Sequence, residues 1–145
     1  MKKFKKLIAV VLTVILSLSV MSVVSFASTT DSLKRTDDGT WLYMENGEHN
    51  ADYTGLVKYY DTWYYVENGV LNWNYTGPTE YYGTTYYVIK GILDWDYSSL
   101  VYVDNVWHYV EKGVYSNDYT GLTKYYGTWY YVEDGVLNWE FLGLT

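Results

Sequence analysis

Residues 53–74 have the sequence YTGLVKYYDTWYYVENGVLNWN, and residues 119–140 return almost the same pattern as YTGLTKYYGTWYYVEDGVLNWE. Between them lie YTGPTEYYGTTYYVIKGILDWD at residues 75–96 and YSSLVYVDNVWHYVEKGVYSND at residues 97–118. Four consecutive copies with a period of 22 residues are typical of a repeat protein in which each unit packs on its neighbours. A degenerate first copy at residues 32–52, where Trp41 stands one period before Trp63, and a partial copy at 141–145 extend the array.

Each copy has the pattern of a β-hairpin. Residues 56–60 and 63–66 are rich in β-branched and aromatic side chains, which favour pleated strands. Asp61-Thr62 is expected to connect the two strands, and Asn68-Gly69 to end the second one, because glycine supplies the positive φ of a tight turn. Residues 70–76 are interpreted as a linker to the next unit. One hairpin alone is marginal in water, so the sequence predicts an all-β solenoid of about five stacked hairpins.

The first 27 residues have a different composition and predict a secretory signal peptide. Lysines at positions 2, 3, 5 and 6 precede an apolar run at residues 7–24, and Ser25-Phe26-Ala27 places small residues at a cleavage site. We expect a helical signal peptide at residues 1–27, a lead-in at 28–31 and the repeat domain at 32–145. The apolar run is also close to the length of a membrane-spanning helix, so an uncleaved anchor is the alternative.

Composition narrows the classes of function. After cleavage the chain keeps all 17 acidic residues and only six basic ones, and this balance argues against a nucleic-acid partner. The sequence has no cysteine, so packing rather than disulfide bonds must stabilise an exported chain. Its 20 tyrosines and seven tryptophans provide the material, because each ring can be buried while a polar atom stays available.

A comparison of the copies, position by position, distinguishes residues of the predicted core from candidate ligand-binding residues. The position of Val66 is always apolar and that of Tyr64 also accepts leucine, so this face of the strand is assigned to the solenoid interior. The position of Trp63 also holds Thr85, and the position of Trp73 also holds alanine and asparagine, substitutions that a buried indole would not tolerate well. These variable tryptophans, with the tyrosine two residues after the first, are therefore predicted to face outward or to line a groove. The candidate ligand-binding residues are Trp63, Tyr65, Trp73, Trp95, Trp107, Tyr109, Trp129, Tyr131 and Trp139. The alternative is that these rings cap the seams between hairpins.

The sequence of the repeat resembles that of a known family. Gly55, Trp63-Tyr64-Tyr65-Val66 and Gly69 followed by Leu71 are similar to the Gly-Trp … Trp-Tyr-Tyr-Leu … Gly-x-Met pattern of choline-binding and glucan-binding cell-wall repeats. The pattern is also similar to the carbohydrate-binding repeats at the end of large glucosylating toxins. The resemblance covers about residues 32–145. It implies a β-hairpin solenoid on an exported bacterial protein, with cell-wall choline or glycans held in aromatic pockets between successive hairpins.

Two positions depart from the family pattern. Trp41, Trp63, Trp107 and Trp129 match its first pocket tryptophan, but Leu56, Pro78, Leu100 and Leu122 stand where the second is expected. The linker is longer and carries Trp73, Trp95 and Trp139, which the pattern lacks. We therefore hypothesise that the linker tryptophan replaces the missing pocket wall. On this hypothesis, Trp63 with Trp73 and Trp129 with Trp139 form the best sites.

No catalytic constellation is visible in the sequence. His49 and His108 are the only histidines, and neither has a partner arrangement typical of a general base. Asp94 and Asp96 flank Trp95, but asparagines occupy the matching positions of another copy, which indicates polar linker chemistry. We expect no metal, no cofactor and no enzyme activity.

The sequence thus predicts a secreted, extracellular, cell-wall-associated binding module. Its expected partner is a cell-wall polymer, a glycan or a choline-bearing ligand, held weakly at single sites and more firmly by several repeats together. The alternative is a structural or adhesive repeat protein that binds another protein.

Overall fold

The computed structural model describes residues 32–141, which belong to one compact unit and form a single antiparallel sheet of 15 strands. Each repeat contributes three strands. The first strands are β1 (Leu33–Arg35), β4 (Gly55–Tyr59), β7 (Gly77–Tyr81), β10 (Ser99–Val103) and β13 (Gly121–Tyr125). The second strands are β2 (Trp41–Glu45), β5 (Thr62–Glu67), β8 (Thr84–Ile89), β11 (Val106–Glu111) and β14 (Thr128–Glu133). The third strands are β3 (Glu48–His49), β6 (Val70–Leu71), β9 (Ile92–Leu93), β12 (Val114–Tyr115) and β15 (Val136–Leu137).

The predicted all-β hairpin repeat is confirmed over the described residues, including the degenerate first copy. The predicted signal peptide and the last four residues of the partial copy lie outside them. Residues 32–141 contain no helix long and apolar enough to span a bilayer.

The turn between the first two strands lies one residue earlier than expected. Thr62 pairs with Tyr59 inside the sheet, so the connection is Tyr60-Asp61 rather than Asp61-Thr62. The equivalent turns Tyr82-Gly83 and Tyr126-Gly127 have positive φ at both residues, the geometry that suits the twist of a two-residue hairpin. The predicted position of the turn was wrong because tyrosine is uncommon at a position with positive φ.

The linker was predicted only to connect one unit to the next, but it contains a strand that is part of the sheet. Its two-residue strand pairs with the second strand of its own unit and with that of the preceding unit. In β6, Leu71 is opposite Val66 while Val70 is opposite Leu42. The N–H of Tyr65 also donates to the carbonyl of Gly91 in the next unit at 2.9 Å. Backbone hydrogen bonds therefore join the units, in addition to side-chain packing.

The glycine of the second turn is required for two reasons. Gly91 has φ +76°, as expected from the sequence, and its α-carbon lies against the preceding linker. A Cβ added there would come within 2.6 Å of the carbonyl oxygen of Asn72. The turn of one unit thus touches the linker of the unit before it, which only glycine permits.

The core consists of the seams between successive units. Val66, Val88, Val110 and Val132 have no exposed surface, which confirms the interior assignment of that face. The opposite face is also packed, because the side of one hairpin that carries Trp63 and Tyr65 lies against the valine face of the next, around Val88. Both faces of the second strand are therefore packed within the stack. In a stack, each hairpin has a neighbour on both sides.

Candidate functional site

The tryptophans of the second strands lie in the seams. Trp63 packs edge-on against Tyr81 of the next unit, with ring centroids 5.0 Å apart. Trp41 with Tyr59 and Trp107 with Tyr125 repeat this contact at 5.5 and 5.2 Å. These rings were predicted to face outward or to line a groove, and Trp63 both packs in the seam and lines a surface groove. Trp129 is 56% exposed, and the ammonium of Lys124 lies 5.9 Å from its ring centroid.

The tyrosines two residues later are packed more deeply. Tyr65 is only 7% exposed and stacks on Tyr75 with centroids 3.7 Å apart. Tyr109 lies 4.2 Å from Tyr119, and Tyr131 stacks on Phe141 at 3.7 Å. These three candidate residues thus have ring partners that already cover one face. Their placement agrees with the alternative that such rings cap the seams.

The three linker tryptophans are exposed, as is Trp129 of the last second strand. Trp73, Trp95 and Trp139 are 47%, 46% and 70% exposed. Each is held edge-on by the tyrosine nine residues before it, at centroid distances of 5.8, 5.8 and 6.2 Å and interplanar angles of 82–85°. A ring fixed at one edge keeps a face available to a ligand. Together with Trp129, these three have the most exposed rings of the nine candidate residues.

The two tryptophan positions vary together with their ring partners. Where the linker lacks tryptophan, the tyrosine that would support it is also missing, since Ala51 goes with Leu42 and Asn117 with His108. Likewise Thr85 replaces the strand tryptophan where Val103 replaces its tyrosine. Each copy therefore has both rings of a contact or lacks both.

Trp63 and Trp73 do not form one pocket. Trp63 lies on the face of β5 that meets Tyr81, whereas Trp73 contacts Tyr64 on the opposite face. The hypothesis that the linker indole completes the wall beside Trp63 is therefore wrong. The two rings serve different surfaces.

Open grooves border several of these rings. One, of about 580 Å³, includes Trp63, Tyr81 and Tyr82 together with Tyr43 and Tyr53 of earlier segments. A second, of about 430 Å³, lies beside Trp95, and a third, of about 340 Å³, lies beside Trp73. Their aromatic and polar lining suits a ligand that lies along the surface.

The polar residues of the linker shape its turn. The side-chain oxygen of Asn72 accepts the N–H of Asn74 at 2.9 Å, and Asp94 does the same for Asp96. The amide of Asn72 also donates to Glu67 at 2.7 Å. This explains why carboxylates and carboxamides alternate at these positions. Asp94 is thus part of the turn that carries Trp95, in line with the reading of these aspartates as linker chemistry.

The fourth unit contains a histidine and a buried hydroxyl where it meets Tyr87 of the third unit. His108 lies 5.1 Å from Tyr115, and burial lowers the pKa of the imidazole, opposed by the nearby charge of Asp104. The hydroxyl of Tyr115 is buried without a hydrogen-bond partner among the described residues. Burial raises the pKa of Tyr115 to about 12, and that of Tyr53 likewise. A neutral His108 is thus a packing residue of the seam.

Sequence reasoning missed the tyrosines at the hairpin tips. Tyr60, Tyr82 and Tyr126 are 79%, 91% and 92% exposed and have φ near +50°. Each lies edge-on to the tyrosine before it at 4.6 Å. The sequence contained a signal for these tyrosines, because a Tyr-Tyr pair recurs with the 22-residue period just before the turn.

A family comparison agrees with the period of the structure. The model of the choline-binding repeat matches residues 52–72, 74–94, 96–114 and 118–138, which is more than half of the chain. The chain belongs to the choline-binding repeat family. The first copy lies outside the matched stretches, although it forms the same hairpin. No curated protein matches the chain.

Among solved structures, the chain is similar to CbpJ from Streptococcus pneumoniae TIGR4. The identity is 23% and the TM-score 0.36, over 74% of this chain and 35% of CbpJ. The chain thus spans about a third of the length of CbpJ.

This choline-binding repeat chain carries leucine, or proline at Pro78, where the family pattern has its second tryptophan. Leu56 and Leu100 are buried in the seams, each 2% exposed. At these two positions a leucine of the seam core therefore stands where the family pattern has an aromatic ring. Exposed indoles are found in the linkers and at Trp129.

Proposed function

We propose that this chain is a non-catalytic binding module that holds a polymer of the cell surface through the indoles of its linkers. The observation that carries the proposal is the exposure of Trp73, Trp95 and Trp139, each fixed edge-on by a tyrosine of the second strand. An exposed indole that recurs along an ordered array presents repeated ring faces on which a ligand can pack. Rigid mounting reduces the entropy that a ligand would have to overcome.

Aromatic faces suit two classes of ligand. The C–H face of a sugar packs on an indole through apolar contact, and a quaternary ammonium is attracted by the ring quadrupole. The Lys124 ammonium above Trp129 illustrates the second interaction within this chain. A choline-bearing wall polymer or glycan offers one or both of these groups.

The repeat makes weak sites useful. Each open groove would hold a single sugar or ammonium group loosely. Several sites on one ordered array raise the effective concentration of a polymer once the first site is filled. The array therefore fits a long, repetitive ligand better than a small molecule.

The proposed location is the cell surface, outside the membrane. The predicted signal peptide would export the chain, and repeats of this family are typical of cell-wall-associated proteins. Retention by the wall polymer would then keep the repeat domain at the surface.

Sedimentation with purified cell wall tests the proposal. We expect Trp73→Ala, Trp95→Ala and Trp139→Ala combined to reduce retention at least tenfold, with the circular dichroism spectrum unchanged. The matched control replaces Tyr60, Tyr82 and Tyr126 by alanine, which removes equally exposed rings from the hairpin tips. Unchanged retention in the tryptophan variant would refute the proposal. Elution by free choline or by sugars would then separate the two ligand classes.

A second candidate function is adhesion to another protein. The tip tyrosines favour it, because three almost fully exposed phenols recur along the array in a backbone conformation that is unfavourable for tyrosine. Tyrosine is also enriched at protein interfaces. If the control variant loses retention while the tryptophan variant keeps it, this second function is the better one.

A further inference from the structure

The array contains two Asn-Gly turns with the same backbone conformation. Asn46 and Gly47 have φ +53° and +83°, and Asn68 and Gly69 have φ +49° and +74°. Each pair connects a second strand to a third strand, and each follows a glutamate. Glycine has no side chain to hinder its backbone nitrogen from approaching the side-chain carbonyl of the residue before it. Any difference in the reactivity of the two turns must therefore come from their surroundings.

The turn at Asn68 is enclosed. Gly69 is buried, and its N–H donates to the carbonyl of Tyr53 at 2.8 Å. A Cβ added at Gly69 would lie 2.3 Å from the carbonyl oxygen of Asn50, so the preceding linker covers the turn. The N–H of Asn68 donates to the hydroxyl of Thr54 at 2.9 Å. The nitrogen that would attack the Asn68 amide is therefore hydrogen-bonded and shielded from water.

The turn at Asn46 lacks this enclosure. Asn46 and Gly47 are both exposed, and a Cβ added at Gly47 would meet nothing within 4 Å. Ser32 stands one period before Thr54, but its hydroxyl donates to the carbonyl of Lys58 at 2.5 Å. In the part of the chain that the structure describes, no unit precedes the first one, so no linker covers its turn.

The enclosed arrangement recurs in all four later units. The N–H of the buried turn glycine donates to the carbonyl of the tyrosine that opens its unit, at 2.8–2.9 Å. A serine or threonine hydroxyl accepts the N–H of the residue before that glycine, at 2.9–3.0 Å. In the first unit, the position equivalent to the opening tyrosine is residue 31, which lies outside the described residues. Enclosure of the turn thus results from stacking on a preceding unit.

We propose that Asn46-Gly47 is a site of spontaneous deamidation and that Asn68-Gly69 is protected from the same reaction. The Gly47 nitrogen loses its proton and attacks the side-chain carbonyl carbon of Asn46, and the carboxamide nitrogen departs as ammonia. The product is a five-membered cyclic imide that joins the two residues. Water then opens the imide at either carbonyl and leaves aspartate or isoaspartate at position 46. Water is the sole co-reactant.

Isoaspartate at this position alters the contact between the first two units. The isoaspartyl linkage lengthens the backbone of the turn by one carbon, whereas the pairing of Met44 with His49 depends on the length of that turn. The ring nitrogen Nε2 of His49 lies 3.0 Å from the carbonyl oxygen of Gly69, and the N–H of Tyr43 donates to the same oxygen at 2.8 Å. We expect the modified turn to weaken both contacts.

Ageing of the purified, folded protein tests the inference. The protein is incubated at mildly alkaline pH and digested in acid, and the peptides that contain Asn46 and Asn68 are scored for deamidation by mass spectrometry. Labelling with an isoaspartyl methyltransferase identifies the isoaspartate. We expect Asn46 to convert at least about tenfold faster than Asn68, because the enclosed turn reacts only in the fraction of molecules in which it has opened.

Two controls separate enclosure from sequence. In guanidinium chloride both turns are open, and we expect the rates at Asn46 and Asn68 to agree within about twofold. Lys112→Asn gives the enclosed turn of the fourth unit the residues of the second, since Glu111 and Gly113 flank it. We expect the new asparagine to convert as slowly as Asn68.

Hydrogen exchange measures the effect on the first seam. The amide of Tyr43 should exchange faster in aged wild-type protein than in aged Asn46→Gln, because glutamine forms the corresponding imide much more slowly. Equal conversion of Asn46 and Asn68 in the folded protein, or no conversion at Asn46 while the unfolded protein reacts, overturns the inference. Rapid conversion at position 112 of the variant, or a difference between Asn46 and Asn68 that persists in guanidinium chloride, also overturns it.

Discussion

His108 occupies a position that holds leucine or tyrosine in the other four copies, and it is the one residue of that column that can gain a charge near neutral pH. Burial lowers the pKa of its imidazole. A histidine whose pKa is lower in the folded state contributes fully above its unfolded pKa near 6.5, and this contribution is lost as the pH falls through the folded value. His108→Tyr removes the effect. In denaturant unfolding at pH 7.5 and pH 5, we expect the stability advantage of the variant to be larger at pH 5. An advantage that is independent of pH would contradict this reading.

The hydroxyl of Tyr115 is expected to destabilise the fold. Its oxygen is buried without a partner among the described residues. An unsatisfied buried polar group costs about 1–3 kcal/mol, so Tyr115→Phe is expected to raise the free energy of unfolding by about 1 kcal/mol. Chemical denaturation measures this. A loss of stability would mean that the hydroxyl has a partner in solution.

At the scale of the element, the two turns of one unit make a matched pair. Gly83 and Gly91 both have φ +76°, but a Cβ at Gly83 meets nothing within 4 Å, while one at Gly91 approaches the Asn72 carbonyl oxygen to 2.6 Å. Gly83→Ala is therefore expected to cost about 1 kcal/mol from backbone strain alone. Gly91→Ala should cost at least about 2 kcal/mol more, because the contact between units must also shift. Equal unfolding midpoints for the two variants would show that the units do not touch there.

The elements also show how far the sequence could lead. The strands could be predicted from their β-branched and aromatic side chains, and the second turn from Asn68-Gly69. Both signals are local in the sequence. The packing of Trp63 on Tyr81 could not follow from one hairpin, because the direction of stacking is a property of two units. The sequence therefore identified the exposed linker indoles among its candidates but could not separate them from the seam rings. The paired change of the Trp63 and Tyr81 positions, to Thr85 and Val103, would have indicated that these two side chains are in contact.

At the scale of the whole molecule, the fixed period permits removal of a complete unit. Deletion of residues 75–96 joins two linkers in register and removes Trp95 with its tyrosine. We expect the shortened array to fold, because each unit contacts only its neighbours, and to lose at least about tenfold in retention on a wall polymer. Titration of the Trp73 indole with a small probe should change little. Undiminished retention by the shortened protein would mean that the sites do not act together.

The central claim is that seam rings hold the array together while linker rings hold the ligand, and a comparison of Trp63→Ala with Trp73→Ala tests it most directly. Each variant is measured for unfolding by denaturant and for retention on purified cell wall. We predict that Trp63→Ala loses about 2 kcal/mol of stability, since its ring packs in the seam, and that Trp73→Ala loses under about 1 kcal/mol. Trp73→Ala should show the greater loss of retention under conditions where both variants are folded. The opposite pattern, with Trp73 needed for stability and Trp63 for retention, would contradict the account.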